Sequence, residues 1–174
     1  MLLAAIAGDA LQPCVRDAAP WWHSARRGAC ARAAACHRIK TIATDSDSKA
    51  PAVKLADYFL QVSTRDPKNT AEIAIEFSKK IKIHGVMTIA NDVPYTVAYT
   101  ASRLGLNGIS TDSAMLASDK ILMKKKFLEH EVACPNFYEI SSFSQFHEII
   151  NHNTHLKYVL KPTDGRGARG VLII

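Results

Sequence analysis

From Ile39 onward the chain alternates short β-branched runs with amphipathic stretches of about a dozen residues, and that alternation restricts it to an α/β fold. Lys40-Thr-Ile-Ala-Thr-Asp45 reads as a buried strand running into a loop, and Tyr58-Phe-Leu-Gln-Val62 as a second strand. Asn69 stands three residues before Glu72 as in a capping box, and Ile73, Ala74, Phe77 and Ile81 recur on one face. This predicts a helix over 70–82 that closes on Lys79 and Lys80. Gly85 to Ala90 reads as a third strand; Asp92 and Pro94 open a helix with Val97, Ala98, Ala101 and Leu104 inside and Gly105 as its stop. Parallel strands require long crossovers, so a parallel sheet covered on both faces is expected. Ligands reach such sheets at the carboxyl ends of the strands, which points to the loops at Asp45 and Asn91; solvated loop polar groups are the equal alternative.

The pattern changes after about residue 110. Ser118 is placed to cap a helix over Asp119–Glu131, with Ile121, Leu122, Phe127 and Leu128 inward and Lys124, Lys125 and Lys126 on a solvated face. Ser142 and Gln145 form a second capping box, opening a helix with Phe143, Phe146, Ile149 and Ile150 on one side. A strand from Lys157 to Lys161, a glycine-rich loop and a strand from Val171 to Ile174 follow.

Composition matters chiefly ahead of residue 39. Trp21, Trp22, Cys14, Cys30, Cys36 and the Ala/Arg-rich run from Ala25 to Arg38 belong to a different vocabulary from the rest. An insertion, a targeting remnant and a stretch read in a wrong frame are all open as origins of 20–38. The formal charge of +6 is concentrated there, because residues 1–40 hold six basic side chains against Asp9 and Asp17. The remainder shows no basic stripe interleaved with aromatics, so no nucleic-acid partner is expected. No apolar run reaches about 18 residues and no basic region precedes the apolar start, so neither a membrane span nor a secretory signal is expected, and the cytoplasm is the default compartment. Cys14, Cys30, Cys36 and Cys134 lack paired spacing and are expected as reduced thiols. Cys30, Cys36 and His37 have no second pair to complete a zinc site, so no metal is assigned.

The densest motif is Gly165-Arg-Gly167-Ala-Arg-Gly170, which spells G-x-G-x-x-G. A dinucleotide fingerprint follows a strand and opens a helix, whereas here the glycines precede a β-branched run, and no Gly-Lys-Ser/Thr makes it a Walker loop. Between two antiparallel strands, glycines free backbone N–H groups to lie over a polyphosphate. Lys161 on the incoming strand supplies a point charge, and Arg166 and Arg169 add to it. A plain hairpin with flexible glycines is the alternative use of the same residues.

Taken in order, Ser118-Asp119-Lys120, Cys134-Pro135, Tyr158-Val-Leu-Lys161-Pro162 and the Gly165–Gly170 loop resemble the start of the ATP-grasp fold of biotin carboxylase, carbamoyl phosphate synthetase and the purine-pathway ligases. Thr44-Asp-Ser-Asp47, Ala50-Pro51, Ala56-Asp57-Tyr58 and Gly85–Asp92 are similar to the lead-in domain of those enzymes, and Gly8-Asp9-Ala10-Leu11-Gln12 to its first glycine turn, although 20–38 overfill the gap that follows. The resemblance implies an N-terminal segment over 1–38 with an atypical insertion, a parallel-sheet pre-ATP-grasp domain over 39–112 and the first part of an ATP-grasp domain over 113–174. It further implies that Lys120 and Lys161 face ATP, that Gly165, Gly167 and Gly170 close over its phosphates with Arg166 and Arg169 alongside, and that a carboxylate is activated as an acyl phosphate for attack by an amine or similar nucleophile.

The family's adenine-contacting hinge, magnesium ligands and catalytic basic residue lie beyond Ile174. The resemblance therefore implies a fragment without catalytic residues, inactive by itself, with Mg2+ only in a full-length form. A non-catalytic nucleotide-binding or interaction domain is the alternative reading. A nicotinamide-dependent dehydrogenase would need the glycine motif to head a helix. Neither the carboxylate substrate nor the oligomeric state is legible.

Overall fold

The computed structural model describes residues 2–6, 39–88, 93–152, 157–164 and 169–174. The chain divides into two compact units, Met1–Met115 and Leu116–Ile174.

The first unit is built on a four-stranded sheet. Its strands are β1 (Leu2–Ile6), β2 (Lys40–Asp45), β3 (Tyr58–Gln61) and β4 (Gly85–Thr88), in the order β3-β2-β1-β4. β2 and β3 run parallel, with Ile42 beside Tyr58. β1 is antiparallel to both of its neighbours, Leu3 lying opposite Ala43 on one side and Met87 on the other. The expected all-parallel sheet is thereby corrected to a mixed one. β2, β3 and β4 do share a direction, as strands joined by long crossovers do, but crossover reasoning does not constrain β1, whose reversed pairing needs no such connection.

β2 is the centre of the unit because it is covered on both faces: Thr41, Ile42, Ala43 and Thr44 are all buried. Alternation sends Ile42 to one side, where it clusters with Ala74 and Ile83 and is flanked by Tyr58, Leu60, Phe77, Ile81, Leu104 and Leu106. Ala43 turns the other way, against Ala52, Ala56 and Phe59. A short 3-10 turn, Val53–Leu55, follows Ala52.

Helix α1 (Pro67–Ser78) begins earlier and ends earlier than the 70–82 expected. Asp66, not Asn69, is its cap: the Asp66 carboxylate accepts from the Asn69 backbone N–H at 3.0 Å, and Pro67 occupies the first turn. An aspartate followed by proline satisfies an orphan N–H and pre-sets φ, so it outcompetes the Asn69–Glu72 box. At the other end Lys79 caps the helix, and the chain carries Ile83 into the core.

Helix α2 (Pro94–Arg103) packs on α1 and buries Thr96, Ala98, Thr100 and Ala101. Gly105, at φ +66°, ends it as expected, with Gly105 N–H donating to Ser102 O and Leu106 N–H to Ala101 O. That pair of bonds is a Schellman cap, and it drops Leu106 onto the core. Helix α3 (Thr111–Ser118) has no counterpart among the expected elements; Ser110 Oγ accepts from Ser113 N–H at its start, and Ala114 is fully buried.

In the second unit, α4 (Lys120–Glu129) is capped by Asp119, whose carboxylate accepts from the N–H groups of Ile121 and Leu122; Ser118, the expected cap, instead ends α3. Glu131 takes φ 55° in the same Schellman arrangement, Val132 N–H donating to Phe127 O at 2.8 Å. No residue of α4 is buried, and Leu122 and Leu128, expected inside, are exposed. A unit this small leaves most apolar side chains in contact with water. Helix α5 (Phe143–His152) opens with Ser142 Oγ accepting from Gln145 N–H, while Gln145 Oε1 reaches back to Ser141 rather than to Ser142. Strands β5 (Val159–Leu160) and β6 (Leu172–Ile173) form the expected antiparallel hairpin, extended by reciprocal 2.9 Å bonds between Tyr158 and Ile174.

Candidate functional site

Of the sequence-predicted residues, Lys161, Arg169 and Gly170 flank the β5–β6 hairpin. Val159 pairs with Ile173 and Leu160 with Leu172, so the two pairs lie on opposite faces. Leu160 and Leu172 line an apolar groove of about 480 Å³ together with Ile140, Phe143, Phe146 and Ile174. Val159 and Ile173 occupy the other face and are 53% and 80% exposed. Alternation puts Lys161 on that same outer face, where it is exposed. An uncovered aliphatic pair beside an ammonium is thus presented on one surface, a feature legible in Val-Leu-Lys only once the strand is known to be half of a hairpin.

Lys120 is held where β5 runs into the loop of this hairpin. Its backbone N–H donates to Thr163 O at 3.1 Å, and its Nζ donates to Pro162 O at 3.1 Å and Thr163 O at 3.2 Å. The helix start and the residues immediately after Lys161 are therefore brought together. Asp119 beside it is accounted for by capping.

Gly170 closes the far side of the same turn. Its φ is +68°, and a Cβ placed on it would lie 2.9 Å from Pro162 Cγ. Glycine is thus demanded twice, by conformation and by space. Arg169 is exposed next to it. Gly165, Arg166 and Gly167 lie outside the described residues, as does Asn91.

The triple lysine does more than face solvent. Lys124 Nζ donates to Pro135 O at 3.2 Å and stands 5.0 Å from the centroid of the Phe137 ring, Lys125 pairs with Glu139 at 2.7 Å and Lys126 with Glu129 at 2.8 Å. Two of the three strap the segment after α4 along the helix, so they are occupied structurally. The loop at Asp45 is likewise organised by its own side chains, Asp45 Oδ1 accepting from Asp47 N–H and Asp47 Oδ1 from Lys49 N–H.

Among the described residues no group of three or more His, Cys, Asp or Glu is placed to hold a metal ion. No described helix is long and apolar enough to cross a membrane.

The first unit, mixed α/β with three co-directional strands, is consistent with an ATP-grasp lead-in domain. The family comparison agrees: the chain belongs to the PylC-like N-terminal domain family, whose model (PylC-like, N-terminal domain) matches residues 24–110, half of the chain. That family lies in the ATP-grasp ligase lineage, as the motifs around Asp57 and Gly85 led one to expect. The matched residues run from ahead of β2 to just beyond α2; Lys120 and the hairpin follow them. No curated protein and no solved structure gives a significant match.

Proposed function

We propose that this chain carries part of the ATP site of an ATP-grasp ligase, and that the complete enzyme uses ATP to activate a carboxylate as an acyl phosphate for attack by an amine or similar nucleophile. The observation that carries the reading is the outer face of the hairpin, where Val159 and Ile173 lie exposed beside Lys161. A nucleotide needs both kinds of surface: aliphatic area against the flat base and a cation for the phosphates. Lys161, one residue before the anchored Pro162, supplies the charge, and Arg169 on the opposite limb supports it. Positive groups fixed beforehand lower the cost of gathering charge during phosphoryl transfer.

ATP-induced stabilisation of the full chain tests the reading. ATP raises the melting temperature of the parent protein through binding linkage, and Lys161→Ala abolishes most of that shift. An equal shift in both proteins would overturn the assignment of Lys161.

A further inference from the structure

Residues 132–141, between α4 and α5, form neither helix nor strand. Both ends of this segment are fixed through backbone groups: Val132 N–H donates to Phe127 O, and Ser141 N–H donates to Gln145 Oε1. Its middle is held differently. Lys124 Nζ donates to Pro135 O at 3.2 Å and stands 5.0 Å from the Phe137 ring centroid, and Lys125 pairs with Glu139 at 2.7 Å. Among the described residues no backbone–backbone bond holds 133–140.

Cys134, Phe137 and Ile140 are half-buried, while the residues between them are exposed. An inward residue at every third position makes the segment a strap with one side laid against the protein. Its last inward residue, Ile140, lines the apolar groove together with Phe143, Phe146, Leu160 and Leu172. The position of the strap therefore sets one wall of that groove.

The two lysine contacts grip weakly. The side chains of Lys125 and Glu139 are 54% and 58% exposed, so water and salt screen their attraction. Each contact of this kind changes an equilibrium by a factor of about five at most. Two of them, with no backbone ladder beneath, leave the strap poised between docked and undocked, with the turn after α4 and the Gln145 cap as its hinges.

We infer that residues 133–140 are a movable strap at the side of the groove, latched by Lys124 and Lys125, which undocks when ionic strength rises or the two ammonium charges are lost and carries Ile140 out of the groove wall. The inference is independent of the ATP reading, because it uses neither Lys161 nor the glycine loop.

Limited proteolysis of the full chain with chymotrypsin tests it. Cleavage after Phe137 or Tyr138 needs the strap free of its contacts, and it tracks the open population when reclosing is fast. Raising sodium chloride from about 0.01 M to about 1 M shortens the Debye length from about 30 Å to about 3 Å and should accelerate these cuts about fivefold or more, relative to a free peptide of residues 132–141 treated identically. The Lys124→Gln/Lys125→Gln double variant keeps helix-favouring residues in α4; it should be cut at the accelerated rate in low salt and respond to salt less than about twofold. Glu139→Gln, outside any helix, should give part of the same acceleration. Cuts after Phe127 and Leu128 within α4 should stay slow throughout. A parent rate that ignores salt would overturn the inference, as would a double variant cut no faster than the parent in low salt or one that keeps the parent's salt response. Cuts within α4 that accelerate in step with those in the strap would overturn it too, since the unit would then be unfolding as a whole.

Discussion

Asp57 and Thr41 grip each other at the parallel seam between β2 and β3. The Asp57 carboxylate accepts from Thr41 N–H at 2.9 Å and Thr41 Oγ1 at 3.1 Å, and Asp57 N–H donates back to Thr41 Oγ1 at 3.2 Å. Lys40 Nζ completes the cluster at 2.7 Å from Asp57 Oδ1. The bonds join residues 16 and 17 positions apart and set the register in which Ile42 meets Tyr58. Thr41 is buried, so its N–H has little water to turn to when the carboxylate is removed.

Asp57→Ala is expected to destabilise the first unit by about 1–3 kcal/mol, the cost of leaving a buried donor unsatisfied. Chemical denaturation of the variant against the parent measures it. A loss indistinguishable from zero would mean that the β2–β3 register is held by packing alone.

The same carboxylate predicts a pH dependence. The Lys40 ammonium, then the Thr41 N–H, hold Asp57 below the usual carboxylate range in the folded chain. A depressed folded pKa gives stability that is fully present above the unfolded carboxylate value of about 3.9 and is lost as pH falls through the folded value. The stability gap between the parent and Asp57→Asn should therefore be constant from about pH 7 to 5 and narrow on further acidification. Glu76 and Glu129, lowered chiefly by their hydrogen bonds to Lys79 and Lys126, titrate in both proteins and cancel in the difference. A gap that widened in acid would contradict the assignment.

Gly170→Ala is expected to cost more than about 1 kcal/mol, because alanine resists a positive φ and its Cβ would collide with the Pro162 ring. The loss should be confined to the second unit. Faster hydrogen exchange at Tyr158 and Ile174, with the β2 amides unchanged, is the corresponding signature; a uniform change across both units would argue against it.

Thr100 runs the other way. It is fully buried on α2, and its hydroxyl has no hydrogen-bond partner among the described residues. Thr100→Val removes an unsatisfied polar atom while preserving the branched shape, so it should leave stability unchanged or raise it by about 1 kcal/mol. A melting temperature that fell by several degrees would show that the hydroxyl has a role.

Local chemistry was largely legible. The span of β2 matches its β-branched run from Lys40 to Asp45, and Pro94 and Gly105 bracket α2, because strand propensity, proline's fixed φ and glycine's tolerance of positive φ are properties of one or two residues. Capping was harder to read. Asp66 and Asp119 took the roles expected of Asn69 and Ser118, since neighbouring residues compete for one helix start and the winner depends on where the chain arrives.

By itself, then, the sequence determined the α/β alternation, the hairpin around Lys161 and the resemblance that the family comparison bears out over the first unit. Only the tertiary structure decided that β1 runs against its neighbours, that Asp57 staples β2 to β3, and that Lys120 reaches the turn after Lys161 across 42 residues of sequence. Periodicity records which face of a segment is buried. It carries no information about which distant carbonyl a lysine will find, because that choice depends on how the separately formed elements pack together.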